Sequence, residues 1–225
     1  MRRFKYRIHC KNLFLHLLVL LFVSSNYQVE DVILDEKKFK KFYICEVSSQ
    51  NDDEIDQLTS IDPWSIPRES TVDRLKKGWR CFVAKKDHQV IAAVWIFLGQ
   101  RFEDYALHRE FILNSSEAYV YRAVCRDEFR GNSIFPYLLR SCLARLQNEK
   151  DVEKFYALTR NTNRSSLRAF EKVGFRMVGW AGFLEIAHIR LHYLWGSESF
   201  KEVKTRCFLE NLGSTLEYEN SDILM

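Results

Sequence analysis

Proline and glycine are scarce, three and eight in 225 residues, which excludes collagen-like repeats and the proline- and glycine-rich disordered classes. The six cysteines, Cys10, Cys45, Cys81, Cys125, Cys142 and Cys207, include no CxxC pair and no Cys/His spacing that would cage a metal, so no metal is expected. Charge of one sign is also thin. The formal net charge is +4, and Arg2, Arg3, Lys5, Arg7 and Lys11 all precede the first acidic residue, Glu30. The remaining body is nearly neutral and lacks the continuous basic face that nucleic acid requires, so no nucleic-acid partner is expected. No internal repeat is visible.

What is present is a hydrophobic share of 47% and a charged share of 28%, enough for one sizeable core and no demand for a second. Cys45, Cys81, Cys125 and Cys142 sit inside apolar strand or helix patterns, where free cysteine behaves as a small buried hydrophobe, as in a reducing compartment.

The amino terminus stays open to more than one reading. Basic residues, the apolar run Leu13 to Val23, then Ser24 and Ser25 have the layout of a secretory signal. The run contains His16 and falls short of the roughly 20 residues a membrane helix needs. The favoured reading is an apolar helix that packs on the domain or a partner, or lies on a membrane surface with its basic flank near anionic headgroups. Residues 1–25 are therefore the expected peripheral membrane or partner contact, and residues 1–40 an extension of the domain.

From Lys41 the pattern is regular. Phe42 to Val47 reads as a strand, Ser48 to Gln57 begins a helix, and Glu69 to Lys77 is a second helix stopped by Gly78. Arg80 to Lys85 and Val90 to Leu98 form a hairpin across a polar turn. Gly99 to Ser116 reads as a polar, partly helical connection. Ala118 to Cys125 is a central strand, followed by a sharp turn at Arg130, Gly131 and Asn132 and a helix carrying Leu138, Leu139, Cys142, Leu143 and Leu146. Phe155 to Leu158 is a strand, Asn163 caps a helix that Gly174 ends, and Phe175 to Ile186 and Ile189 to Leu194 close the domain. The domain is expected over 41–196, with 197–225 a peripheral tail.

Two segments carry the chemistry. The first is strand, glycine turn, helix: Tyr119 to Cys125, then Arg130-Gly131-Asn132-Ser133-Ile134. Helix-start amides have no internal partner and sit at the positive end of the dipole, so such a turn can cradle a pyrophosphate. The second is Asn163-Arg164-Ser165-Ser166-Leu167-Arg168-Ala169-Phe170-Glu171-Lys172-Val173-Gly174-Phe175. Together, in this order and spacing, they resemble the GNAT family of N-acetyltransferases, whose signature there is N-x-x-(A/S)-x-x-(A/L)-(Y/F)-E-K-x-G-F. The resemblance covers roughly Phe42 to Tyr193.

That resemblance implies an α/β acyl-CoA N-acyltransferase fold: a mixed, twisted central sheet flanked by helices, with fourth and fifth strands splayed to admit a pantetheine arm. It implies acetyl-CoA as cosubstrate. Val124 and Cys125 would offer backbone groups to the pantetheine, Arg130, Gly131, Asn132, Ser133 and Ile134 would wrap the pyrophosphate, and Asn163, Ser166 and Phe170 would flank the other side. The turn departs from the family's Q/R-x-x-G-x-G/A: Glu128 stands at its start, expected to face solvent, and Ser133 replaces the second small residue. Phe170 stands where the family often has a tyrosine that protonates the departing thiolate.

Acetylating an amine of pKa near 10 requires its deprotonation. Glu117 is the candidate base, acting through water. Tyr119 and Tyr121 share a strand face, and Tyr121 is the candidate for the acceptor pocket. Arg122, a charge in a central strand, is the candidate to hold an anionic acceptor group or Glu117. His188 and His192 fall where acceptors enter. The expected reaction is direct attack of a primary amine, on a small molecule or a sugar, in a ternary complex. The competing reading is a catalytically degenerate module that binds coenzyme A or a partner. A coenzyme A requirement favours the cytoplasm, with a membrane-peripheral location through residues 1–25, and secretion is the alternative.

Overall fold

A computed structural model of the chain describes residues 13–24, 41–61, 67–104, 109–186, 189–196 and 204–207. In chain order the elements are β1 (Leu13–Ser24), β2 (Tyr43–Glu46), α1 (Asp52–Ile61), α2 (Arg68–Lys76), β3 (Arg80–Lys86), β4 (Gln89–Phe97), β5 (Arg101–Asp104), β6 (Arg109–Ile112), β7 (Glu117–Cys125), α3 (Ile134–Lys150), β8 (Lys154–Arg160), α4 (Arg164–Glu171), β9 (Arg176–Ile186), β10 (Ile189–Gly196) and β11 (Lys204–Cys207). The fold is a mixed α/β sheet flanked by helices. Its eight strands run β10-β9-β1-β8-β7-β4-β3-β2, and a separate small sheet runs β11-β6-β5.

β4 shows why the sheet has helices on both faces. Val90 to Ile96 are all buried, a continuous apolar run rather than an alternating one. Ala92, Val94 and Ile96 pack in the cluster that contains Leu138, Leu139 and Cys142 of α3. Ala93 and Trp95 join Ile55 and Leu58 of α1 on the opposite face. Burying each such Val, Ile or Leu side chain contributes about 1.5–3 kcal/mol. The hairpin from β3 to β4 turns on Asp87 and His88, both at positive φ, 49° and 67°, the pair of left-handed residues that a two-residue turn needs.

Charged groups tie the outer strands to this core. Arg80 of β3 donates through Nε to Glu46 of β2 at 2.6 Å and through Nη2 to Glu149 of α3 at 2.9 Å. Lys85 pairs with Glu54 of α1, and both are buried. Cys45, Cys81, Cys125 and Cys142 are free thiols, with Cys81 and Cys142 buried.

The central event of the sheet is the parting of β7 and β8. They pair in parallel only from Glu117↔Lys154 to Val120↔Ala157. Beyond that β7 continues alone against β4, up to Ala92↔Cys125. In that ladder Trp95 faces Arg122 and Ile96 faces Val120, which leaves Tyr121 as the extra residue of a β-bulge. A bulge bends its strand and shifts the alternation of faces by one. Val120 packs in the α3-side core before it, and the odd-numbered Cys125 packs against the same cluster after it.

Two expectations change. Leu13 to Val23, expected as a helix, is the strand β1, antiparallel to β8 on one side and β9 on the other. A run that is apolar at nearly every position suits a strand paired on both edges as well as it suits a buried helix, and periodicity cannot choose between them. The connection 99–116, expected as partly helical, contains β5 and β6, paired from Arg101↔Ile112 to Asp104↔Arg109. The tail after 196 supplies β11, which pairs with β6. The sheets thus draw on segments before 41 and after 196. Among the described residues no helix is long and apolar enough to cross a membrane.

Candidate active site

The cleft begins where β7 leaves β8. From Tyr121 onward one edge of β7 is bonded to β4 while the edge toward β8 has no ladder partner. Exposed backbone N–H and C=O groups of this kind need partners, and a ligand lying along the strand can provide them. Arg126 fixes the strand's end: its amide donates to Ile91 O at 2.9 Å. Its Nε donates to Val90 O at 2.8 Å, and its Nη2 to Ser60 Oγ at 3.2 Å.

A short 3-10 turn, Asp127–Phe129, then leads into the bend. Gly131 has φ +77°, with nothing within 4 Å of where a Cβ would stand, so glycine serves the backbone conformation there and leaves the space above it open. Ser133 is also left-handed, at φ 60°. Left-handed residues so close together curl successive amides toward one concavity, an anion-binding turn. Asn132 Nδ2 folds back onto the carbonyls of Phe129 and Arg130, both at 3.3 Å. The amides of Ile134 and Phe135 have no acceptor one turn back, as at any helix start. The first to donate is Tyr137, to Ser133 O at 3.2 Å.

The opposite wall is α4. Asn163 Oδ1 accepts from the Ser166 amide at 3.2 Å and from Ser165 Oγ at 2.8 Å, capping the helix. Ser165, Arg168, Ala169 and Lys172 face the cleft, one helical stripe, while Phe170 and Val173 face the core. Lys172 Nζ reaches across to Ser133 Oγ at 3.4 Å. The cleft between the two walls holds about 680 Å³. Arg130, Arg168 and Lys172 line it and, among the described residues, no carboxylate does. Arg130 is held by Asp127 at 2.8 Å and donates through Nε to Cys125 O at 3.2 Å. Glu128 is exposed. Burial pushes the Cys125 thiol up from its ordinary value; Arg130 opposes this and Glu128 and Asp127 add to it. The thiol beside the cleft therefore stays protonated at neutral pH and is a poor nucleophile.

Of the residues singled out from sequence, Val124, Cys125, Arg130, Gly131, Ser133, Ile134, Asn163 and Ser166 all line this one cleft. Asn132 holds the bend from outside it. Phe170 is 5% exposed and packs edge-on against Phe135 and Phe175 at 5.5 and 5.0 Å, away from the cleft. Glu117 lies at the far, joined end of β7. It is 5% exposed, with Oε2 accepting from the Asn114 amide at 2.8 Å and Oε1 from the Tyr156 hydroxyl at 3.1 Å. Tyr121 stands at the bulge, edge-on to Trp79 at 5.4 Å, and Arg122 is half-buried beside it. Tyr119 is buried and stacks on Phe111 at 5.6 Å. His188 and the side chain of His192 lie outside the described residues. Sequence reading missed Arg168 and Lys172, although their spacing from Ser165 was the available signal. It also missed Arg126, whose role is set by a distant strand.

Comparison with known proteins adds the following. The family profile described as Acetyltransferase (GNAT) family matches residues 41–175. No curated protein matches the sequence. Among solved structures, the chain is similar to a tandem GNAT protein from the clavulanic acid biosynthesis pathway, at TM-score 0.56 and 10% identity, covering 77% of this chain and 54% of that one. It is also similar to a conserved protein of unknown function from Staphylococcus epidermidis, at TM-score 0.51 and 12% identity, covering 83% and 64%. A third is the PaiA N-acetyltransferase from Thermoplasma acidophilum in complex with coenzyme A, at TM-score 0.45 and 13% identity, covering 60% and 89%. This chain spans about half of the tandem protein and under two thirds of the staphylococcal one. At these identities the likeness to the first two is one of fold.

Proposed function

Since the chain belongs to the acetyltransferase (GNAT) family, we propose that it transfers an acetyl group from coenzyme A to a primary amine by direct attack in a ternary complex. The observation that carries this is the opened edge of β7 running into a cleft lined by Arg130, Arg168 and Lys172 with a left-handed glycine bend at its mouth. The features fit the group: an unpaired strand edge for an amide-bearing arm, helix-start amides for a pyrophosphate, and Arg168 and Lys172 for remaining phosphate charge.

Bound acetyl-coenzyme A would supply the thioester and a thiol leaving group, whose pKa near 8.5 makes departure at neutral pH tolerable without a dedicated acid. Phe170, turned into the core, supplies no proton. Val124 and Cys125 offer backbone groups that orient the reacting carbonyl and stabilise charge developing on its oxygen. Arg130 to Ile134 hold the pyrophosphate. Tyr121, at the bulge where the strands part, borders the acceptor. Glu117 is buried and already holds two donors, so as a base it would act only through a chain of waters. Location in the cytoplasm, where the donor is abundant, belongs to the same reading.

The test is release of free thiol from acetyl-CoA across a library of amines, paired with calorimetric titration of acetyl-CoA and CoA. Turnover with any amine supports the transferase. Binding without thiol release favours the degenerate module, and absence of binding overturns the transferase and the coenzyme A-binding form of the module.

A further inference from the structure

Four half-buried or buried cations pack against the sheet, Arg80 on its α3 side and the others on its α1/α2 side, and three have found oxygen. Arg80 holds Glu46 and Glu149, leaving only its Nη1 unpaired. Lys85 holds Glu54, and Arg126 holds Val90 O and Ser60 Oγ. Arg74 of α2 is the exception. Its Nη1 is buried with no hydrogen-bond partner, and no described carboxylate pairs with it. Instead its guanidinium carbon lies over three rings: Tyr121 at 4.8 Å, Trp79 at 5.0 Å and Trp95 at 5.9 Å.

Aromatic faces attract a cation but accept no hydrogen bond in its plane. A guanidinium walled by rings has unmet donor capacity at its buried Nη1, and a planar, two-oxygen acceptor such as a carboxylate, admitted by a shift of the surrounding rings, matches it. The location gives that edge meaning. Tyr121, which Arg74 covers, is the bulge residue at which β7 leaves β8. Two residues on, at about 3.3 Å per residue, Ala123 is the first β7 residue to line the cleft. Arg74 therefore lies over the residue at which the strands part, two residues before the cleft lining begins.

We propose that Arg74 anchors a carboxylate on the acceptor, so that this enzyme's acceptors are primary amines that also carry a carboxylate, amino acids in the broad sense. The proposal rests on the acetyltransferase reading above. The carboxylate meets the guanidinium edge beside Trp79, and the amine at the other end of the molecule faces the opened strand. Aromatic packing around Arg74 holds the fork in one orientation, which lowers the entropy cost of recognition.

Two measurements on the full chain test this. In the first, acetyl transfer is measured for β-alanine and γ-aminobutyrate against propylamine and butylamine. Wild-type protein is expected to favour the carboxylated member at least tenfold in kcat/KM, the ratio falling tenfold or more in Arg74→Met, through KM, with partial rescue in Arg74→Lys. Equal use of both members by wild type overturns the proposal while leaving the transferase reading intact. The second needs no turnover. With CoA present, γ-aminobutyrate is titrated against tryptophan fluorescence, since Trp79 and Trp95 flank the guanidinium. A saturable change that butylamine does not produce, and that Arg74→Met loses, supports the anchor even if no transfer is seen. A flat titration in wild type overturns it.

Discussion

The two ends of the β7–β8 pair are built from the same two strands and do opposite things. At the joined end the strands are bonded from Glu117↔Lys154 to Val120↔Ala157, and Glu117 locks the junction to Asn114 and Tyr156. At the open end they part, yet neither strand becomes a free ribbon. β7 is backed by β4 as far as Ala92↔Cys125, and β8 is backed by β1 as far as Leu18↔Arg160. A cleft in a sheet is therefore sustained by the strands behind its walls, and in this chain one of those is the amino-terminal segment.

The largest effect should come from breaking that backing. Val19 pairs with Thr159 of β8 and with Trp180 of β9, so Val19→Pro removes a ladder bond in mid-sheet and forces a kink there. The unsatisfied ladder acceptor alone costs about 1–3 kcal/mol, a large share of the roughly 5–15 kcal/mol that holds a domain. The measurement is thermal or denaturant unfolding by circular dichroism. If residues 13–24 were a removable leader or a loosely docked helix, Val19→Pro would leave the melt of the mature protein where it was.

The second effect is confined to the open end. Gly131→Glu places a carboxylate at a bend with φ +77°, where no side chain sits without strain, and points negative charge at the phosphate site. Calorimetry with acetyl-CoA should show affinity lowered about a hundredfold, roughly 2.7 kcal/mol, with the unfolding midpoint shifted much less than by Val19→Pro. Unchanged affinity would remove the bend from the donor site.

The open end was also the more legible of the two regions. The bend 130–134 and the helix from Asn163 carry their chemistry in contiguous residues, because a helix start and a cap are local devices set by a few neighbours. The walls of the cleft followed from that alone. β1 was not legible because Leu13 to Val23 is apolar on both faces, and only the partners on either side, more than a hundred residues away in sequence, decide that it is a strand. β5 and β6 were hidden for a similar reason: each is only four residues long, too short to show a period, and β6 is set between β5 and the distant β11. Glu117 was legible as a residue but not as a position. Its neighbours in sequence say that it begins a strand, whereas its engagement with Tyr156 depends on which strand lies alongside.

The smallest predicted effect separates the two roles open to Glu117. As a carboxylate it accepts from the Asn114 amide on one oxygen and from the Tyr156 hydroxyl on the other. Glu117→Gln keeps the shape and one acceptor oxygen but turns the second position into a donor facing a donor. A buried group left unsatisfied in this way costs about 1–3 kcal/mol, so the unfolding midpoint should fall modestly. Donor affinity should hold, because the substitution lies at the opposite end of β7 from Val124 and Cys125. Turnover with a reactive amine decides the rest. If the residue only locks the joined end, kcat and its pH profile move little once the protein is folded. A loss of a hundredfold or more in kcat, within the range of general-base catalysis, together with disappearance of the acidic limb of the profile, would make the lock a base as well.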